Sequence, residues 1–213
     1  MRTEPLIDRL ANEAKPVRRR TAWNDALALA VLCVLELGLF LIMGMMRADM
    51  PTAIHLPSFW WKLASLGLIG LVSATVAILS LDPVRSPSRG LRWIGTLITA
   101  CLAGGWLLDT SRGGSSTLLS RLHWISGLEC LSAIVVLAVP AVIGLGLLMR
   151  RGAPTDRPGT ALAAGLAAAA WGAFVYVFAC RHDDPLYVAV WFSLGCGVVT
   201  LLARGVLPRL TRW

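Results

Sequence analysis

Six stretches of this chain are apolar, nearly free of charge and about 20 residues long. That is the length a helix needs to cross the roughly 30 Å hydrocarbon layer of a bilayer. They fall at residues 25–46, 61–81, 91–108, 127–149, 160–180 and 187–207. None has the period-two alternation of a barrel strand, so helices are the way for these segments to satisfy their backbone in lipid. The chain is 56% hydrophobic and 15% charged, against roughly 45–50% and 25% in soluble domains. A water-soluble globule, a disordered chain and a disulfide-stapled secreted module are thereby excluded. The expected fold is an all-α integral membrane protein, a bundle of six transmembrane helices over residues 25–207. Residues 1–24 form a short cytoplasmic arm with an amphipathic helix, and 208–213 a cytoplasmic tail. The connections are short, and no soluble domain is inserted.

Basic residues set the expected orientation. With the N-terminus inside, fifteen of the 20 Lys and Arg residues fall in inner segments. Arg47, Lys62, Arg112, Arg121 and Arg181 fall outside. This is the positive-inside bias of a multi-pass protein with both termini in the cytoplasm. The net charge of +8 then reports topology, and no direct nucleic-acid partner is expected. Arg18, Arg19 and Arg20 before the first block resemble the start of a signal peptide. The apolar run that follows exceeds the usual 7–15 residues, however, and no small-x-small site precedes Arg47, so the block is expected to stay as a span.

In the arm, Thr3 and Pro5 suit a helix start. Leu6, Ile7, Leu10, Ala14 and Val17 recur at steps of three and four, giving one apolar stripe. Asp8, Arg9, Asn12, Glu13 and Lys15 fall largely on the other side, and Pro16 ends the helix. Three turns are marginal alone in water. The stripe therefore needs a surface: the inner leaflet, helped by the arginine cluster, or a groove in a cytosolic partner.

Of five cysteines, Cys33, Cys101 and Cys196 lie near the middle of their spans and read as small hydrophobes. Cys130 and Cys180 differ. The fourth and fifth spans form a hairpin turning near Pro154, with Cys130 24 residues before that point and Cys180 26 after it. Near-equal distances from an antiparallel turn give near-equal height, here at the outer membrane edge, within reach of oxidants and metal ions. Glu129, His123, His182, Asp183 and Asp184 are their sequence neighbours. Thiolate with imidazole suits zinc- or cadmium-like ions, with Cys130, Cys180, His182 and Glu129 as the candidate set; the other reading is that His and Asp merely solvate an outer loop.

Glu36 lies near the midplane of the first span, where an ionisable group is either a functional site, as in a small ion or solute transporter, or a carboxyl making one interhelical hydrogen bond. Ala161, Gly165, Ala169 and Ala173, with Ala164, Ala168 and Gly172, give the fifth span a small-residue pattern that lets helices approach closely. Pro140 marks a bend in the fourth. No nucleophile elbow, phosphate loop, zinc-protease or dinucleotide motif is present. No enzymatic activity and no cofactor are expected.

The chain resembles the NrsF-type membrane anti-sigma factors of bacteria. The arm Leu6-Ile7-Asp8-Arg9-Leu10-Ala11 with Pro16-Val17-Arg18, and Phe59-Trp60-Trp61-Lys62 at the entry to the second span, carry part of the likeness. The most specific part is Arg150-Arg151-Gly152-Ala153-Pro154-Thr155, then Pro158 and the Ala/Gly-rich span through Gly165 and Gly172 to Tyr176 and Cys180. Trp191 and the ending Pro208-Arg209-Leu210-Thr211-Arg212-Trp213 also agree. The resemblance implies six membrane helices, an arm that binds an extracytoplasmic-function sigma factor through Leu6, Ile7, Asp8, Arg9, Leu10, Ala14 and Val17, and Cys130 and Cys180 as sensor thiols. Asp183-Asp184 after His182 departs from it.

Alkaline phosphatase fused after residue 24 or at the C-terminus is expected to be inactive, and fused after residue 55 active. Activity of the residue-24 fusion would reverse the topology.

Overall fold

The computed structural model describes residues 21–110 and 121–210. Among the described residues there are seven helices and no strand: α1 (Ala22–Ile42), α2 (Met50–Ala53), α3 (Pro57–Leu79), α4 (Ser88–Thr110), α5 (Trp124–Arg151), α6 (Arg157–Val177) and α7 (Pro185–Leu210). All but the one-turn α2 are long and apolar enough to cross a membrane. They correspond one to one with the six expected spans. The arm residues Leu6, Ile7, Asp8, Arg9, Leu10, Ala14 and Val17 lie outside the described residues.

The small-residue pattern of α6 makes it the centre. Thirteen of its 21 residues are buried, against two of 21 in α1 and two of 23 in α4. It packs on α3, α5 and α7. Gly172 faces α5 so closely that an added Cβ would stand 2.7 Å from the Ala138 amide nitrogen and 2.8 Å from the Ile134 carbonyl oxygen. On another side of α6, Ala170 meets α3 at Gly70. With no side chain between them, the backbones make dispersion contacts along most of their length, which is what holds helices together when lipid removes the hydrophobic drive. α4 lies on α3 and α7, and α1 rests chiefly on α5. The outer faces of these peripheral helices carry Leu27, Val31, Val34, Leu35, Trp93 and Trp106, a surface suited to lipid.

Helix ends differ from the apolar blocks where local chemistry intervenes. α1 stops at Ile42 rather than 46, because Gly44 takes the left-handed conformation (φ 69°) that terminates helices. α6 starts at Arg157, where the Asp156 carboxylate accepts from the Gly159 N–H at 2.9 Å and Pro158 occupies the first turn. It ends at Val177 rather than 180, since the amides of Ala179 and Cys180 both turn back onto the Tyr176 carbonyl. Cys180 thus belongs to the connection 178–184. α5 continues through Pro140, and α7 runs past the expected end at 207 to Leu210 with Pro208 in its last turn.

Gly172→Val, which pushes a branched side chain into α5 backbone, is expected to destabilise the bundle by about 1–3 kcal/mol. Gly197→Ala, where nothing among the described residues lies within 4 Å of the added carbon, is expected to leave it unchanged. Thermal unfolding of the detergent-solubilised chain distinguishes them; equal midpoints would show that α6 does not set the packing.

Candidate functional site

The chemistry of the described residues concentrates at the end of the bundle opposite Ala22. Three chain reversals meet there: residues 43–56 between α1 and α3, the start of α5, and the connection 178–184. Cys130, one to two turns into α5, and Cys180, just past α6, are both fully buried. Both are free thiols, and their side chains lie within hydrogen-bonding reach of each other. Tyr176 and Tyr187 flank the pair. The Tyr187 hydroxyl is buried with no hydrogen-bond partner among the described residues.

The connection that carries Cys180 is gripped by two buried cations. Arg47 donates from its backbone N–H to the Phe178 carbonyl at 2.9 Å, and from its guanidinium to the Cys180 carbonyl at 2.8 Å. The same guanidinium reaches both carboxylate oxygens of Asp183 at 3.1 and 2.8 Å, and Asp49 at 2.7 and 2.6 Å. Lys62, in the second turn of α3, donates to Asp183 at 2.7 Å and to the His182 carbonyl at 3.0 Å. The side chains of Arg47 and Lys62 are 2% and 0% exposed, that of Asp183 13%. Farther out, Arg121 bridges Asp109 and Asp184. The His182 ring lies between those of His123 and Tyr187, with centroids 5.7 and 4.4 Å away.

α5 is fixed into this assembly by α7. Trp191 donates from its indole N–H to the Leu122 carbonyl at 2.7 Å. Its ring fills the space beside Gly127, where a Cβ would fall 1.9 Å from a ring carbon. The preceding His123 adopts a left-handed conformation (φ 35°), uncommon for a residue with a side chain.

These contacts set proton affinities outside the spans. Burial pushes the Asp183 carboxyl up, but hydrogen bonds from Arg47 and Lys62 outweigh it and hold the group below the usual carboxylate range. Arg47 draws Asp49 down to about 2. The Cys180 thiol is more acidic than ordinary cysteine, first because the Cys130 thiol hydrogen-bonds it, and then, against the opposing effect of burial, because of the Lys62 ammonium. Burial, then His123 and Lys62, disfavour the charged form of His182. Of the two thiols, Cys180 is the one whose thiolate form, the nucleophile and metal ligand, is favoured.

A family model described as the negative regulator of sigma F, NrsF, matches residues 10–213. The chain belongs to the NrsF family. It is 32% identical to the anti-sigma-F factor NrsF of Caulobacter vibrioides (strain NA1000 / CB15N) over the full length of both chains. It is 28% identical to the probable anti-sigma-F factor NrsF of Azospira oryzae (strain ATCC BAA-33 / DSM 13638 / PS), again over both full lengths. No solved structure is a match.

Of the residues expected at the site of this NrsF member, Cys130 and Cys180 come together, and His182 meets them through its backbone carbonyl, which accepts from the Cys180 thiol at 3.7 Å. Glu129 lies on the exposed surface. Among the described residues no group of three or more His, Cys, Asp and Glu is placed to hold a metal ion. The Trp171 indole N–H donates to Glu36 at 3.0 Å, an interhelical hydrogen bond between α1 and α6. Sequence reasoning missed Arg47 and Lys62 as parts of the site. Its available signal was that both are cations on the basic-poor side, and that Lys62 lies inside an apolar helix where an unpaired charge is costly.

Asp183→Asn leaves two buried cations without their shared counter-charge, and is expected to cost about 3 kcal/mol or more. Because the Asp183 carboxyl is depressed in the folded chain, its contribution is fully present above the ordinary carboxylate range, near pH 4, and is lost as pH falls below it. Unfolding of wild type and variant in detergent from pH 7 to pH 3 checks this. A difference that does not shrink toward pH 3 would remove the ion pair as its cause.

Proposed function

We propose that this protein is a membrane-bound anti-sigma factor of the bacterial inner membrane. With both termini cytoplasmic, its arm (Leu6, Ile7, Asp8, Arg9, Leu10, Ala14 and Val17) holds an extracytoplasmic-function sigma factor at the membrane, away from core polymerase. The capture role is supported by family membership over residues 10–213 and by the full-length relatives named as anti-sigma-F factors.

Release is triggered at the other face of the membrane. The supporting observation is the adjacency of two free thiols, Cys130 and Cys180, one of them acidified, at the end of the bundle that the charge pattern assigns to the outside. Two thiols that already touch close to a disulfide under a two-electron oxidant, or take up a thiophilic metal ion. Either event removes the thiol–thiol hydrogen bond and changes the charge beside Lys62. A shift of a few kcal/mol between two arrangements of the arm then frees a useful fraction of the partner.

A second reading, a small transporter using Glu36, draws on the buried Glu36 Oε1, which has no hydrogen-bond partner among the described residues. Loss of ion flux in Glu36→Gln proteoliposomes would favour it.

A pulldown of the solubilised chain tests the main reading. Leu6→Asp with Leu10→Asp is expected to abolish co-purification of a sigma factor while membrane insertion persists. Cys130→Ser with Cys180→Ser is expected to keep the sigma factor bound but to block its release by cadmium ions or diamide. Retained binding in the first variant removes the arm from the model, and normal release in the second ends the thiol-sensor role.

A further inference from the structure

We propose that Arg47 is the positioning residue that couples the thiol pair to the N-terminal arm, by fastening the Cys180 connection to the far end of α1. This rests on the thiol-sensor reading and supplies its missing step, how an event at one end of the bundle acts at the other.

α1 begins at Ala22, immediately after the arm. Its other end, Ile42, is joined to Arg47 through residues 43–46. Through its backbone N–H and guanidinium, Arg47 binds the carbonyls of Phe178 and Cys180 and the carboxylate of Asp183. Cys180 is thus held from two sides. Its sulfur faces Cys130, and its carbonyl faces the chain that descends into α1. α1 is also lightly committed to the core, with Leu29 and Phe40 as its buried residues. It touches α6 only lightly, and a cavity of about 400 Å³, lined in part by Leu29, Cys33, Gly70, Ala141 and Phe174, lies beside its contact with α5. Along its length Glu36–Trp171 is the interhelical hydrogen bond described, at 3.0 Å. A helix with few contacts to α6 and a clamp at its end can move as a rod when the clamp moves. α6, buried along most of its length, cannot.

The covalent event is defined. Cys130 and Cys180 together give up two protons and two electrons as the S–S bond forms. Diamide accepts both and becomes the hydrazine. The sulfurs must close from non-bonded contact to about 2.05 Å, an approach of more than about 1 Å. α5 is pinned at its start by Trp191 and Gly127, so the displacement falls on the connection 178–184. The Cys180 carbonyl and Asp183 carry it to Arg47. Coupling requires that α1 have different preferred positions for the two thiol states.

The test uses the full chain with Cys33, Cys101 and Cys196 replaced by Ala, purified with its co-purifying sigma factor and placed in proteoliposomes. Disulfide formation after diamide is read by loss of maleimide labelling in denaturant, and sigma release by sedimentation. In the wild-type background, oxidation is expected to raise release at least about fivefold. In Arg47→Gln the disulfide is expected to form to the same extent, while oxidised and reduced forms release equally, a ratio of about one. Arg47→Lys keeps a cation beside Asp183 but cannot reach every acceptor, and is expected to fall between; where Arg47→Gln does not accumulate, it carries the test. A wild-type ratio in Arg47→Gln, or in Arg47→Lys when it stands alone, overturns the role of Arg47 and leaves the thiol sensor intact. A wild-type chain that forms the disulfide without release overturns both.

Discussion

The structure of the cysteine end depends on one arrangement of charge, Asp183 shared between Arg47 and Lys62. Two cations with 2% and 0% side-chain exposure carry a desolvation cost of several kcal/mol each. That cost is offset when donors are satisfied, and here both cations meet Asp183 and backbone carbonyls of the same connection. Because carboxylate and carbonyls all belong to residues 178–184, the charges leave little freedom in where that segment runs. The position of Cys180 over Cys130 follows from it. A buried ion pair is weak evidence of stability by itself; its contribution here is placement.

Around this point the bundle divides into a tight and a loose part. α6 with α3, α5 and α7 forms the tight part, built on residues too small to keep backbones apart. The loose part is α1, resting on α5 over a cavity. The division comes from the sequence. Four-residue steps of Ala and Gly run through α6, whereas α1 is rich in Leu and Val, several of which point outward. The same difference that makes α6 a scaffold leaves α1 able to respond.

Much of this was legible before any coordinates. The six spans followed from apolar length, and the central role of α6 from its small-residue spacing. The common height of Cys130 and Cys180 followed from counting outward from Pro154. What counting could not give was direction: depth says nothing of which way a side chain faces, and the thiols meet because Arg47 and Lys62 fix the connection. Those two cations were read as exceptions to a charge rule, and Lys62 also as part of a family-like segment; neither reading gives a partner, because charge rules sum over loops and ignore residues more than a hundred positions away. The end of α6 at Val177 was missed because apolar character continues through Phe178 and Ala179 while the backbone has already turned onto Tyr176.

The division also bears on how a small chemical event can act across a membrane. A ligand or bond shifts an equilibrium only by its differential free energy in the two states, and one disulfide supplies a few kcal/mol. That could not reorganise α6, whose contacts would have to be broken together. It is closer in size to what holds α1, whose attachments include its packing on α5, the Glu36–Trp171 hydrogen bond, worth about 1 kcal/mol or less in a membrane setting, and the clamp at Arg47. A thiol switch is therefore matched in size to the helix it would move. The match holds only if the clamp joins thiol and helix, since an α1 free of Arg47 would feel no difference between two thiols and a disulfide.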